Sequence, residues 1–244
     1  MFNLRARRLL AFGVLVAIAC ITPSRVRAAA QDPGVTWLIF VDDLHLDFRN
    51  TGYIRKLLRS IASELIRDGD AFVLRSSGPS PSIPFTTNRS LLDAAIGRVT
   101  GNGLQPAAIL WLSPANEIQD ELRYRASLAG SAATEMLNAG PSLASRRQAM
   151  LYVTNGYPLD PPDARVAGFA SAAQRANVTV FAMNARGLPS APASPVQGDA
   201  ALWASYRAAM LNSLRAISEP TGGFAVLDEA DFADALQRIG RRMR

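Results

Sequence analysis

Thr36-Trp37-Leu38-Ile39-Phe40-Val41-Asp42-Asp43 is the stretch whose reading decides the fold. A strand with one wet face alternates apolar and polar residues. This one does not alternate, so both faces are expected to be covered, as in the centre of a parallel sheet. Downstream, Ile54, Leu57, Leu58, Ile61 and Leu65 recur at helical spacing, and Asp68-Gly69 stops that helix. Ala71 to Arg75 reads as a second strand. Pro79, Pro81 and Pro84 confine Ser82 to Phe85 to a sheet edge, where a missing N–H is tolerated. Ser90 with Asp93 resembles a capping box ahead of Leu91, Leu92, Ala95, Ile96 and Val99, and Gly101-Asn102-Gly103 closes that helix.

Further strands are expected at Ala149–Thr154, Val178–Met183 and Phe224–Val226, separated by helical patterns. Ser113-Pro114 opens the longest helix. Gly187 to Asp199, with three prolines, reads as a mobile surface loop. Trp203, Tyr206, Met210, Leu214 and Ile217 mark one core-facing stripe. Strands alternating with helices along the whole length predict one doubly wound α/β domain over residues 31–244. In such folds ligands sit beyond the carboxyl ends of the strands, near the point where the strand order reverses. Asp42-Asp43, Asn155, and Asn184 with Arg186 occupy those ends.

Two adjacent carboxylates directly after a buried strand have two readings. They hold a hard divalent cation through oxygen, or they cap nearby backbone N–H groups. His45 is the single histidine. A zinc site or a Ser-His-Asp triad would rest on it alone, and a polar residue on the loop rim, or one satisfied by a carboxylate, is the simpler reading. G-x-S-x-G, G-x-x-x-x-G-K-[ST] and G-x-G-x-x-G are absent. Gly101-Asn102-Gly103 follows a helix, so it is not a phosphate loop.

The chain has 244 residues, 49% hydrophobic and 19% charged, which excludes intrinsic disorder. Its formal charge of +6 is carried by the N-terminus: residues 1–30 hold Arg5, Arg7, Arg8, Arg25 and Arg27 and no acid, leaving 21 basic against 20 acidic side chains. That balance gives no support for a nucleic-acid surface. The arginines, the 12-residue apolar run Leu9–Cys20 and Ala28-Ala29-Ala30 form a Sec-type signal peptide over 1–30, with cleavage expected before Gln31. Lipidation at Cys20 and an uncleaved signal anchor are the alternatives. Once the signal is cleaved, no stable membrane span is expected. With Cys20 the only cysteine, the folded part has neither disulfide nor thiol chemistry.

The order of these segments resembles a von Willebrand factor type A (VWFA) domain, and most of all its secreted bacterial VWFA-related branch. The resemblance rests on Leu38 to Leu46, Asp68-Gly69-Asp70-Ala71-Phe72-Val73, Thr87 to Val99, Leu151-Tyr152-Val153-Thr154-Asn155-Gly156, Val178 to Ala182 and Thr221-Gly222-Gly223. It implies a mostly parallel sheet with one antiparallel edge strand and helices on both faces. It also implies a metal-ion-dependent adhesion site (MIDAS) with a D-x-S-x-S motif, a Thr from a second loop and a late Asp. By position, the first Asp falls on Asp42, the two serines on Leu44 and Leu46, the Thr near Gly103-Leu104 and the late Asp on Asn155. The adhesion site is therefore degenerate, with Asp42, Asp43 and Asn155 left as ligands for weakly held Mg²⁺ or Ca²⁺. A shifted register, Asp43-x-His45-x-Asp47, restores three polar groups but lengthens the apolar strand.

The resulting expectation is an exported, non-enzymatic module, secreted or periplasmic. It binds a protein partner through Asp42, Asp43, His45, Asn155 and Arg186, without a certain cofactor. The alternative is a metal-dependent hydrolase or phosphotransfer-type α/β protein using Asp42 and Asp43.

Overall fold

The computed structural model describes residues 34–105, 109, 115–139, 146–157, 164–185 and 199–244. Residues 32–244 form one compact unit. Its strands are β1 (Val35–Val41), β2 (Ala71–Ser76), β3 (Ile83–Thr86), β4 (Arg147–Thr154), β5 (Val178–Asn184) and β6 (Phe224–Val226). Its helices are α1 (Thr51–Glu64), α2 (Arg89–Ile96), α3 (Ala115–Ala139), α4 (Ala164–Arg175), α5 (Asp199–Ser218) and α6 (Phe232–Met243). The signal segment, Ser113-Pro114, Arg186 and residues 187–198 of the expected loop lie outside the described residues.

The strands form one sheet in the order β3-β2-β1-β4-β5-β6. All pairs are parallel except β2 with β3, which is antiparallel. This is the mixed α/β sheet the sequence predicts. β3 is the edge, and its Pro84 is exposed. The strand order reverses between β1 and β4.

β1 is buried along its whole length because it feeds two cores. Trp37, Ile39 and Val41 join Phe72, Leu74, Leu151 and Val153 beneath α1, α2 and α6. Leu38 and Phe40 point the other way, to Met150, Tyr152, Val180 and the apolar faces of α3, α4 and α5. A period of two with both phases apolar produces the unbroken hydrophobic run. Each large side chain buried this way contributes about 1.5–3 kcal/mol from its apolar area.

One local expectation needs correction. α2 is capped by Asn88, not Ser90: the Asn88 side chain accepts from the Ser90 N–H and hydroxyl, so no Ser90–Asp93 box forms. An Asx cap satisfies an orphan N–H two residues ahead and so starts the helix earlier. On α3, Leu128 lies on the exposed side, while Ala126, Ala129 and Ala133 face the sheet. Small residues there let the helix pack closely on β2.

Candidate functional site

β1 ends at the point where the strand order reverses, and Asp42 follows it. Its backbone N–H continues the ladder to Val153 O at 2.9 Å, which ties it to β4. A tight 3₁₀ turn over Asp43–His45 brings the histidine back over it. Asp42 Oδ1 accepts from His45 Nδ1 at 2.9 Å and from Ser77 Oγ at 2.8 Å. Asp42 Oδ2 accepts from Thr154 Oγ1 at 2.8 Å, and that same hydroxyl oxygen accepts the Gly156 N–H. Asp42 has no exposed surface.

Asp43 points toward the β2–β3 loop and is equally buried. Its Oδ1 accepts from Gly78 N at 2.6 Å and lies 3.0 Å from Ser77 Oγ. Its Oδ2 accepts from Ser80 N at 2.8 Å and from Asn102 Nδ2 at 3.3 Å. Ser77 has one hydroxyl proton and two carboxylates within reach, so it bridges Asp42 and Asp43 while accepting the Leu44 N–H. Asn102 N donates to Asp43 O and Gly103 N to Leu46 O, which lays the Gly101-Asn102-Gly103 segment against the β1 exit. At Gly101 any Cβ would run into the backbone oxygens of Leu46 and Asp47, so glycine is required for that approach. Arg125 on α3 closes the group, its Nη1 donating to Leu44 O and Asn102 O at 3.2 and 2.8 Å.

The histidine is buried, with its ring edge-on to Tyr157 at 5.1 Å. Its Nε2 has no hydrogen-bond partner among the described residues. Asn155 is 2% exposed, and both its amide O and N lack partners among them. It follows Thr154 into a turn that Gly156 makes possible at φ +86°. Tyr152 and Tyr157 share a hydroxyl hydrogen bond of 2.9 Å. Burial, with the charges of Tyr157 and Asp42 added, pushes the Tyr152 phenol well above its ordinary value, so it stays protonated. Asn184 at the end of β5 donates to Leu227 O.

The alternative register Asp43-His45-Asp47 does not converge. Asp43 faces Gly78 and Ser80, His45 faces Asp42, and Asp47 is clasped by Arg49 at 2.6 Å. Burial opposes ionisation of Asp47, yet the hydrogen bonds and charge of Arg49 outweigh it and hold the carboxyl below its usual value. The arrangement of the first register does not fit the cation either. Leu46 is fully buried in the core beneath α1, and Leu44 brings no lone pair. Around Asp42 the imidazole and two hydroxyls act as donors, and the hydroxyl oxygens of Ser77 and Thr154 already accept backbone N–H groups, which leaves few of the converging oxygen lone pairs a hard cation needs. No group of three or more His, Cys, Asp or Glu that could hold a metal occurs among the described residues.

Among the described residues Ser77, His45 and Asp42 are not ordered as a serine-histidine-acid triad. Here the carboxylate sits between the hydroxyl and the imidazole, so His45 has no line to the Ser77 proton. Sequence reasoning missed Ser77, Ser80, Asn102 and Arg125. The strand-end rule that selected Asp42 applies equally to β2, whose exit reads Ser76-Ser77-Gly78-Pro79-Ser80. That small polar turn was the available signal.

No protein-family profile and no curated protein matches the chain. Similar solved structures include the conserved hypothetical protein BatB from Bacteroides thetaiotaomicron, 12% identical over 85% of this chain and 97% of that one, with a TM-score of 0.48. Another is an aerotolerance-related membrane protein from Bacteroides fragilis, 11% identical over 86% and 98%, TM-score 0.47. A third is the vWF domain of the type V pili tip protein Mfa5 from Porphyromonas gingivalis, 9% identical over 86% and 94%, TM-score 0.43.

Proposed function

We propose that this VWFA-like domain is an exported, non-enzymatic protein-binding module that works through the strand-carboxyl face and needs no cation there. The observation that carries the reading is the fate of the carboxylate pair. Every oxygen of Asp42 and Asp43 accepts a hydrogen bond from within the domain. Paired this way, the acids pin the β1–α1 loop, the β2–β3 loop and the Gly101–Gly103 segment into one rigid surface. Export rests on the N-terminal signal pattern, with the mature chain beginning at Gln31. No helix among the described residues is long and apolar enough to cross a membrane.

Because Asp42, Asp43, His45 and Asn155 are enclosed, a partner meets the loops they hold rather than their own polar atoms. Phe48 is the contact we assign first. It is 63% exposed in the β1–α1 loop, directly after Asp47. An exposed aromatic beside buried polar support is the type of residue that anchors interfaces. The test is capture of the partner from native periplasm or medium by wild-type and Phe48→Ala baits, with and without EDTA. The reading expects loss with Phe48→Ala and indifference to EDTA. Hydrolysis of a phosphate ester that requires Mg²⁺ and is abolished by Asp42→Ala would overturn it in favour of a metal-dependent enzyme.

A further inference from the structure

The opposite end of the sheet carries a second feature. Arg67, Arg146, Arg147, Arg241 and Arg242 come from three chain segments and gather at the strand-amino pole. Arg146 Nη1 donates to Gly69 O, and Arg147 Nη1 to Arg242 O at 3.2 Å. Arg67 and Arg241 line an open cleft of about 650 Å³ with Arg244, and Glu64 is its acid. None of the five pairs with a carboxylate among the described residues. Asp70, the buried acid of this pole, is already taken by Arg244 and by the N–H groups of Val35 and Arg67. Glu64 and the neighbouring Asp68 leave the patch net positive, although residues 31–244 are close to neutral.

We propose that this arginine face docks on an anionic phospholipid surface. The place where the chain enters the domain argues for lipid over an acidic protein. Val35 N is bound to Asp70 Oδ1 at 2.8 Å, so the segment leading into β1 emerges in the middle of the basic patch. Only residues 21–33 separate Val35's neighbour Gly34 from the apolar run Leu9–Cys20, at most about 45 Å of extended chain. During export, before cleavage ahead of Gln31, that run holds the chain at a bilayer, which presents this pole to the lipid first. The arginines come from three chain segments, so the face offers several guanidinium groups at once, each able to grip a phosphate in a pair of hydrogen bonds. Held this way, the domain turns its strand-carboxyl face outward, away from the membrane. The inference uses export but not the partner face, so its test leaves that face untouched.

The exported chain, purified as the cell delivers it, is floated with vesicles of phosphatidylglycerol and phosphatidylcholine, or of phosphatidylcholine alone. The expected result is binding to the anionic vesicles only, released by 0.5 M NaCl. The double variant R67E/R241E should bind at least about tenfold more weakly, while R207E, an exposed change on α5, should bind like wild type. Equal binding to neutral vesicles overturns the proposal. So does unchanged binding by R67E/R241E, or retention on polyglutamate beads with no flotation. Should the double variant fail to fold by circular dichroism, the salt and lipid arms on wild-type protein decide alone.

Discussion

Asp42 Oδ2 accepts a 2.8 Å hydrogen bond from Thr154 Oγ1 across the point where the strand order reverses. The two residues lie 112 positions apart and are both fully buried. In doubly wound α/β sheets a ligand is expected at this reversal. Here a hydroxyl of β4 stands against the carboxylate of β1 instead, and the same oxygen fixes the turn at Gly156.

Thr154→Val keeps the shape but leaves one lone-pair pair of Asp42 and the Gly156 N–H unsatisfied. A loss of about 1–3 kcal/mol is expected. Urea denaturation should show a lower midpoint with an unchanged slope. An unchanged midpoint would mean that the Asp42–Thr154 bond contributes nothing net.

Asp43→Ala removes the acceptor for the Gly78 and Ser80 N–H groups and for the Asn102 amide. The segment Ser77–Ser80 should lose amide protection by orders of magnitude, while β4 and β5 stay protected. Asp43→Asn retains one acceptor oxygen and should lie between the two. Hydrogen exchange read by mass spectrometry checks both variants.

Divalent cations should leave the domain unaffected. A site of 10 µM affinity would stabilise by about 2.7 kcal/mol at 1 mM Mg²⁺, whereas a millimolar site gives only about 0.4 kcal/mol. Thermal melts with 1 mM Mg²⁺, 1 mM Ca²⁺ or EDTA are expected to coincide within about 1 °C. A shift of several degrees that Asp42→Ala removes would establish a metal site.

Asp70 makes the domain acid-sensitive at its other pole. Burial opposes its ionisation, but Arg244, the Val35 and Arg67 N–H groups and Trp37 hold its carboxyl below the ordinary 3.8. A depressed folded-state pKa stabilises above the unfolded value, and that stabilisation is lost as pH falls. Stability should therefore drop from about pH 3.8 downward, as the unfolded chain takes up the proton first. Asp70→Asn should be less stable at neutral pH and show a shallower decline through this window, read from denaturation midpoints at several pH values.

Local sequence was enough for the layers of this fold. The uninterrupted Thr36–Val41 run required two covered faces, Pro84 required an edge, and the helical stripes supplied the covers. It also located Asp42, Asp43 and Asn155, because buried strands must expose something where they end. An adhesion-type site was implied by the family resemblance and not by the residues themselves, and nothing in the sequence explained Leu46 beyond the loss of a hydroxyl. Leu46 turned out to be a core side chain.

What the tertiary structure alone decided is how the acids are used. Ser77, Asn102 and Thr154 lie 35, 60 and 112 residues from Asp42. No periodicity or spacing links them, since their proximity follows from which strands pair and in what order. A carboxylate's chemistry depends on whether lone pairs or N–H and O–H groups surround it. That is a property of three-dimensional neighbours, so the Asp42-Asp43 dipeptide, which in sequence reads either as a cation site or as a cap of backbone N–H groups, is the hydrogen-bonded hub of three loops in the folded domain.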